Sequence, residues 1–234
     1  MCGSRLAQDV FGGLMLNPDR QNGLPRVVEV AVALFGLVVA APILALFAVL
    51  IRLDSRGPFL FRQQRIGKDG KTFTLLKLRT MVVGASGALF TAANDGRVTS
   101  TGKIARRAKI DELPELWNVV RGDMSIVGPR PEVPEFVDLK NPLWVEVLRV
   151  RPGLTDPVTL RLRNEEELLA SAGEDEQFYT DVVQPYKLRG YFHFVRNRTW
   201  KIDVRIIYRT LIAIVFPQTA TPPSKDELRW SLAE

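Results

Sequence analysis

The sequence predicts an α+β protein that is mostly helical, with a single apolar segment near its N-terminus. Three observations support this fold class. Apolar residues run almost without interruption from Val27 to Ile51, two strand-like stretches follow at 59–65 and 72–78, and helical periodicity dominates the rest. A chain of 234 residues can form one sizeable core, or one domain with an anchor.

Composition divides the chain into four predicted segments. These are a mobile N-terminal arm at 1–24, a membrane-associated helical segment at 25–56, the main folded domain at 57–216 and an exposed tail at 217–234. The arm is polar and weakly patterned, and the tail contains the pair Pro222 and Pro223.

The apolar segment is longer than the roughly 20 residues that a membrane-spanning helix requires. Pro42 lies inside it, where proline removes a backbone hydrogen bond and kinks a helix. Basic residues stand on both sides of the segment: Arg26 before it, and Arg52, Arg56, Arg62, Arg65 and Lys68 after it. Because basic flanks favour the cytoplasmic side, we expect a re-entrant helical hairpin bent at Pro42. A single span and a buried core helix are the alternatives.

The two strand-like stretches predict a β-hairpin, since the glycine-containing turn 67–71 separates them. Between Arg52 and Arg79 there are eight basic residues and two acidic ones. This charge favours a position near anionic lipid headgroups, with a solvated basic hairpin as the alternative.

Beyond the hairpin, residues 82–102 predict a loop with a short helical piece near 85–93. Helical stretches follow at 160–172, at 174–195 with an interruption near Pro185, and at 200–216. The last is amphipathic in its first half and wholly apolar in its second, a pattern typical of core helices and of interfacial membrane helices.

The net charge of +6 favours an anionic partner such as nucleic acid, a lipid surface or a phosphorylated substrate. No nucleic-acid recognition motif is visible, so we expect no nucleic-acid partner. The lone cysteine, Cys2, excludes an intrachain disulfide.

The densest charge pattern lies between Lys103 and Pro131. Adjacent carboxylates at Asp111 and Glu112 follow a cluster of bases, and a Gly-Pro-Arg-Pro turn at 128–131 closes the stretch. Surface helices usually place opposite charges three or four positions apart. Adjacent acids crowded by bases instead indicate a site for a divalent metal and phosphate groups.

This stretch resembles the signature of bacterial sugar transferases, the small monotopic phosphoglycosyl transferases that load sugar phosphates onto a polyprenol phosphate carrier. The resemblance extends from Arg26 to Phe216. It rests on five motifs in the family's order: Lys77–Met81, Asp111–Pro114, Arg121–Ser125, Val127–Pro131 and Arg151–Gly153.

The resemblance implies that Asp111 attacks the sugar-bearing phosphate of a UDP-sugar and forms a covalent aspartyl-phosphosugar intermediate. Glu112, together with Asp111, would hold Mg²⁺, and undecaprenyl phosphate would accept the group. The basic residues that it implies for phosphate binding are Lys77, Arg79, Arg106 and Arg130. Asp123 fits a turn-stabilising acid as well as a direct site residue.

The chain departs from the family after Arg151–Gly153, where the usual Trp-Ala-Gln segment and Asn-Gly-Arg are missing. Either Arg161 or Arg163 could replace that arginine.

The resemblance implies a sugar-1-phosphate transferase whose cytosolic catalytic domain is the segment 57–216, on the cytoplasmic face of the bacterial inner membrane. It would act at the first membrane step of exopolysaccharide, O-antigen or glycoconjugate synthesis. The expected partners are the lipid bilayer, undecaprenyl phosphate and a UDP-sugar, and the sequence leaves a homodimer open. The alternative function is a catalytically silent membrane scaffold of a glycan-assembly complex.

Overall fold

The computed structural model describes residues 23–84, 95–165, 168–169, 176–224 and 227–228. The predicted arm lies outside these residues except for Gly23 and Leu24. All of the predicted helical piece at 85–93 and part of the predicted helix at 160–172 also lie outside them.

The described residues form a mostly helical α+β fold, as the sequence predicts. The helices are α1 (Arg26–Asp54), α2 (Ser100–Arg107), α3 (Glu115–Arg121), α4 (Pro142–Val147), α5 (Pro157–Arg161), α6 (Glu176–Phe178), α7 (Gln184–Asn197) and α8 (Trp200–Val215). The strands are β1 (Leu60–Ile66), β2 (Thr72–Leu78), β3 (Ser125–Val127) and β4 (Gly153–Thr155). Short 3-10 turns lie at Lys68–Gly70, Ile110–Glu112, Pro134–Phe136 and Pro217–Thr219, and a π-helical turn at Tyr179–Val183 leads into α7.

Strands β1 and β2 pair antiparallel from Leu60 opposite Leu78 to Ile66 opposite Thr72, which confirms the predicted hairpin. Its turn places Asp69 and Gly70 at positive φ, at 57° and 74°. A second, parallel pair joins β3 to β4, with Ser125 opposite Gly153. This short pair was not predicted, and it holds the Gly-Pro-Arg-Pro turn in place.

Helix α1 runs through Pro42 as one continuous helix and presents two different faces. Ala33, Ala40, Phe47 and Ile51 lie on one stripe and are buried. The other side of α1 exposes large apolar residues to the surroundings: Val27, Val32, Phe35, Val38, Val39, Leu46, Val49 and Leu53. By length and composition α1 could cross a membrane, and it is the one helix of the described chain that could.

The N-terminal end of α1 is fastened to the domain through Arg26 and Glu29. The Arg26 guanidinium donates to the carbonyl of Met124 at 2.9 Å and also to that of Val119. Glu29, buried within the apolar run, accepts from Arg26 at 3.1 Å and from the Ile126 amide at 3.3 Å. Glu29, the single acid of the apolar run 27–51, therefore bonds to the domain.

The C-terminal end of α1 is fastened to the same domain. Arg79 donates to the carbonyls of Ser55 at 2.7 Å and Arg56 at 2.6 Å, and it also reaches Ile51. The carboxylate of Asp54 accepts from the backbone amide of Thr101, at the start of α2, at 2.7 Å. Both ends of the apolar helix thus lie against one folded body.

Helix α8 buries Ile202, Ile206 and Ala213 in the domain. Its outer side exposes an apolar stripe at helical spacing: Trp200, Val204, Tyr208, Leu211 and Val215. The helix therefore serves the core along one side and leaves a second apolar surface uncovered along the other.

The prediction of an exposed tail is wrong for two of the described residues. Pro223 is buried, and Leu228, only 2% exposed, packs in the cluster that contains Tyr186 and Tyr191. The Arg161 guanidinium donates to the Glu227 carboxylate at 2.9 Å, which holds this part of the tail against α5. An apolar contact and an ion pair outweigh the proline-rich composition that indicated exposure.

Candidate active site

The two predicted acids lie on the short turn between α2 and α3. Lys109 precedes this turn with φ of +57°, a left-handed conformation that costs a non-glycine residue about 1–2 kcal/mol. Next to the acids, Ile110 packs with Phe47 and Ile51 of α1, whereas Leu113 packs with the cluster around Ala33. The turn that carries the two acids therefore packs against the apolar helix.

Asp111 is 7% exposed, and its Oδ1 atom has no hydrogen-bond partner among the described residues. Burial raises the pKa of this carboxyl, and the negative charge of Glu112 raises it further. Three cations, Lys77, Lys109 and Arg106, oppose these effects without cancelling them. Asp111 is thus a buried acid with a free oxygen that faces a cationic surrounding.

Glu112 is held by two cations. Its Oε1 accepts from Arg130 Nη2 at 2.6 Å and from Lys77 Nζ at 3.3 Å. Burial opposes charge on this side chain, but the attraction of Arg130 and Lys77 is stronger and holds the pKa of Glu112 well below its usual range. The neighbouring acids therefore have pKa values shifted in opposite directions, an arrangement typical of acid sites with divided roles.

A third carboxylate, Glu115, belongs to the same cluster and was not predicted. It is 1% exposed, its Oε1 lies 3.2 Å from Lys77 Nζ, and burial raises the pKa of its carboxyl. Lys77 consequently lies between Glu112 and Glu115. The helical spacing of Glu115, four residues after Asp111, is the signal that could have identified it.

Asn118 of α3 fixes strand β2, which carries Lys77. Its Oδ1 accepts from the amide of Leu76 at 3.0 Å, and its Nδ2 donates to the carbonyl of Thr74 at 2.7 Å. The same amide group donates to Asp123 at 3.2 Å. Asp123 therefore takes the turn-stabilising role, one of the two that the sequence left open.

The Gly-Pro-Arg-Pro turn is fixed by backbone contacts with β4. The amide of Gly128 donates to the carbonyl of Thr155 at 3.0 Å, and the amide of Gly153 donates to that of Pro129 at 2.9 Å. A Cβ atom on Gly128 would lie 2.6 Å from the carbonyl oxygen of Arg151, so this close approach requires glycine. Arg130 is thereby presented to Glu112 from a rigid support.

Of the four basic residues predicted for the site, the structure brings Lys77, Arg106 and Arg130 together around the acids. Arg106 donates from Nε to the hydroxyl of Thr80 at 3.1 Å and acts on the pKa of Asp111. Arg79 lies elsewhere, with its guanidinium on the carbonyls that end α1. Arg161 pairs with Glu227 of the tail at 2.9 Å, which gives it a structural partner.

Adjacent carboxylates, one buried and one half-buried, lie among lysine and arginine side chains, and this arrangement suits phosphorylated substrates. The comparison with known families agrees with this class. The family model described as bacterial sugar transferase matches residues 20–217. The chain therefore belongs to the bacterial sugar transferase family, as its motifs predict.

Several named relatives share much of the sequence. A Bacillus subtilis protein, provisionally named an undecaprenyl-phosphate N-acetylgalactosaminyl 1-phosphate transferase, is 48% identical over 121 residues, or 51% of this chain and 68% of the relative. The Caulobacter vibrioides UDP-glucose:undecaprenyl-phosphate glucose-1-phosphate transferase is 37% identical over 83% of this chain and 71% of its own length. An Aeromonas hydrophila UDP-N-acetylgalactosamine-undecaprenyl-phosphate N-acetylgalactosaminephosphotransferase is 32% identical over 90% of this chain. In that comparison the chain spans about half of the relative, 48%.

Proposed function

We propose that this transferase moves a sugar 1-phosphate from a UDP-sugar to undecaprenyl phosphate and releases UMP. The names of the relatives support the donor and the acceptor. The observation that carries the proposal is the free Oδ1 of Asp111, buried beside a Glu112 carboxylate that two cations hold in its charged form. Such a product would begin the assembly of an exopolysaccharide, an O-antigen or another glycoconjugate on the membrane.

The proposed reaction has two displacement steps. In the first, the Asp111 carboxylate forms a bond to the sugar-bearing phosphorus, the bond from that phosphorus to the bridging oxygen breaks, and UMP leaves. In the second, a phosphate oxygen of undecaprenyl phosphate forms a bond to the same phosphorus and the Asp111 carboxylate is released. Covalent catalysis of this kind replaces one difficult transfer with two easier ones.

The cations around the acids supply the electrostatic support for both steps. Lys77, Arg106 and Arg130 converge on the position that a diphosphate would occupy, and Lys109 adds a fourth positive charge nearby. Fixed cations stabilise the charge on the transferring phosphoryl group without reorganisation at the moment of reaction. Binding of the anionic donor would also compete for the cations that hold Glu112.

The acids fit a Mg²⁺ ion, which commonly uses one or two carboxylates together with substrate phosphates. Asp111 offers the unpartnered Oδ1, and Glu112 offers Oε2, since its Oε1 already accepts from Lys77 and Arg130. The described residues contain no group of three or more His, Cys, Asp or Glu side chains arranged for a metal, so donor phosphates would complete the coordination. When bound, Mg²⁺ would neutralise the charge that develops on the phosphate oxygens.

We propose further that α1 enters and leaves the same leaflet of the cytoplasmic membrane, with the catalytic domain on the cytoplasmic face. A helix of 29 residues is about 43 Å long, and a helix that crossed the bilayer would place its two ends on opposite sides. Instead, Arg26 and Asp54 at its two ends both bond to the domain. Its uncovered apolar side, together with the apolar stripe of α8, would contact lipid.

The test of the transfer reaction is UMP release from a panel of UDP-sugars with Mg²⁺ and undecaprenyl phosphate in detergent. Asp111→Asn keeps the size of the side chain and removes the nucleophile, so it is the matched variant. Release by the wild type that disappears in the variant would support the proposal and identify the sugar. Equal release by both proteins would contradict the role of Asp111, and no release from any donor would favour the silent scaffold.

A further inference from the structure

A second buried polar cluster lies next to the Gly-Pro-Arg-Pro turn. Its centre is Lys187 of α7, which is 5% exposed. Lys187 Nζ lies 2.7 Å from Glu132 Oε1, 3.2 Å from the Tyr179 hydroxyl and 3.5 Å from Glu165 Oε1. A lysine is rarely this deeply buried without a structural or functional reason.

The charges in this cluster are retained because they are paired. Burial opposes the charge on Lys187, but Glu132 and Glu165 more than compensate and hold the pKa of Lys187 above its usual range. Burial likewise opposes charge on Glu132, and Lys187 and Arg65 hold its pKa below the usual range. The cluster is therefore an ion pair in a nearly dry environment, where each partner depends on the other.

The pair is attached to the turn that carries Arg130. Glu132 is the second residue after Arg130, and its backbone carbonyl accepts from the amide of Ile66 at 3.0 Å. Between them, the carbonyl of Pro131 accepts from Arg65 Nη1 at 3.0 Å. The two residues that follow Arg130 are thus held by contacts with β1 and α7.

Arg130 itself bonds to Glu112, with Nη2 2.6 Å from Oε1. The two residues that precede Arg130, Gly128 and Pro129, are already fixed to β4. The Lys187–Glu132 pair holds the chain after Arg130. Since an arginine side chain has many rotamers, the fixed turn restricts where its guanidinium can lie.

We infer that Lys187 is a positioning residue for the transfer reaction, acting through Glu132 to hold Arg130 against Glu112 and the donor phosphates. The part of this inference that concerns activity rests on the proposed function. Lys187 does not touch the substrate in this assignment. Its loss should loosen the Arg130 turn while the acids, Lys77 and the helix beneath them keep their places.

The test combines Lys187→Met with Glu132→Gln in the full-length protein. The two changes remove both charges of the Lys187–Glu132 pair together, so neither is left buried without the other and the fold should recover relative to Lys187→Met alone. The activity should not recover with it. Glu227→Gln is the matched control, because it also breaks an ion pair, at 2.9 Å, but one that holds the tail to Arg161.

The decisive readout is a double-mutant cycle with Arg130→Lys. In the wild-type background this change should lower kcat/KM on the order of 100-fold, since lysine lacks the planar fork of arginine. We expect the Lys187→Met/Glu132→Gln pair to cost on the order of 10-fold, and the combination to cost little more than Arg130→Lys alone. Multiplicative losses of about 1000-fold would overturn the inference, as would activity that recovers in step with thermal stability.

A second readout does not require activity. Glu112→Gln should lower the melting temperature clearly in the wild-type background and less in the Lys187→Met/Glu132→Gln background, because Arg130 would no longer be held against Glu112. In a Lys187→Arg background with Glu132 intact, Glu112→Gln should lower the melting temperature as much as it does in the wild type. Equal shifts of the melting temperature in both backgrounds would reject the positioning role. Unequal shifts in a protein whose wild type shows no transfer activity would reject the proposed reaction but keep the link between Lys187 and Arg130.

Discussion

Arg130 Nη2 lies 2.6 Å from Glu112 Oε1, while the adjacent Asp111 keeps an oxygen without a hydrogen-bond partner among the described residues. Two neighbouring acids are therefore treated differently by the fold. Arg130 and Lys77 balance the negative charge of Glu112, whereas Asp111 is buried without a cation bonded to its Oδ1.

Asp111→Asn should stabilise the protein in metal-free buffer at neutral pH. Because the folded pKa of Asp111 is raised, the folded state binds more protons than the unfolded state, and stability falls as pH rises from about 3.9 through the folded pKa. The neutral amide avoids this loss. For a chain of this size each kcal/mol regained corresponds to roughly 2–4 °C in melting temperature. A lower melting temperature for the variant would contradict the buried, uncompensated state of Asp111.

Glu112→Gln should change stability in the opposite direction. The variant leaves Arg130 and Lys77 without their shared carboxylate, at an expected cost of about 2–3 kcal/mol at pH 7. Since the folded pKa of Glu112 is depressed, its contribution is complete above about pH 4.3 and is lost as pH falls through the folded pKa. Denaturant unfolding at pH 7 and at progressively lower pH should therefore show the two proteins converging. A constant difference across this range would argue against the ion pair.

Asn118→Ala should destabilise the protein and weaken donor binding. The variant removes the hydrogen bonds to the backbone of Thr74 and Leu76, which directly precede Lys77 in β2, at an expected cost of about 2–3 kcal/mol. A strand that is less well fixed should place Lys77 less accurately, so the KM for the UDP-sugar should rise. Asn118→Asp is the control, because it keeps the acceptor for Leu76 but loses the donor to Thr74, and its effect on stability should also be large. A wild-type KM in Asn118→Ala would exclude this role.

Arg79→Ala should affect the apolar helix more than the chemistry. The guanidinium of Arg79 donates to the carbonyls of Ser55 and Arg56 at the end of α1, so its loss should leave these groups unpaired and lower the melting temperature. In the protein that remains folded, the KM for the UDP-sugar should rise far less than in Arg130→Ala. Comparable rises in KM would restore Arg79 to the phosphate-binding set that its motif implies.

The two ends of α1 should be accessible from the same side of the membrane. Cys2 is the only cysteine, so the wild type reports the N-terminal side, and Arg56→Cys in a Cys2→Ser background reports the other. A membrane-impermeant maleimide should label both in inside-out vesicles and neither in right-side-out vesicles. Leu46→Cys, at an exposed apolar position of α1, should resist labelling in both. Labelling of the two ends from opposite sides would show that α1 spans the bilayer.

The regular elements and the acids could be predicted from local sequence. The uninterrupted apolar run of α1 and the hairpin of β1 and β2 carry strong periodic signals. The adjacency of Asp111 and Glu112 identified the candidate site, and the family match supports that identification. Arg79 shows where the local rule ends. It was predicted from the motif it shares with Lys77, but β2 stops at Leu78 and the Arg79 guanidinium bonds to the carbonyls that end α1.

The remaining parts of the site depend on contacts between distant residues. Strands β3 and β4 contain three residues each, too few for a periodic signal, and they pair across a long separation. Lys187 lies 55 residues beyond Glu132 in the sequence. Its local sequence does not distinguish it from an exposed base. Only tertiary packing shows that it is buried and paired. The same holds for Leu228, whose burial the proline-rich tail did not predict.

The most direct test of the central claim is the mass of the intact protein after brief exposure to the UDP-sugar and Mg²⁺ without acceptor. The proposed reaction predicts a protein heavier by one phosphosugar, with the adduct on Asp111, and its loss when undecaprenyl phosphate is added. Asp111→Asn should stay unmodified under the same conditions. Turnover by a wild type that never carries the adduct, or an adduct of equal yield in Asp111→Asn, would contradict Asp111 as the nucleophile.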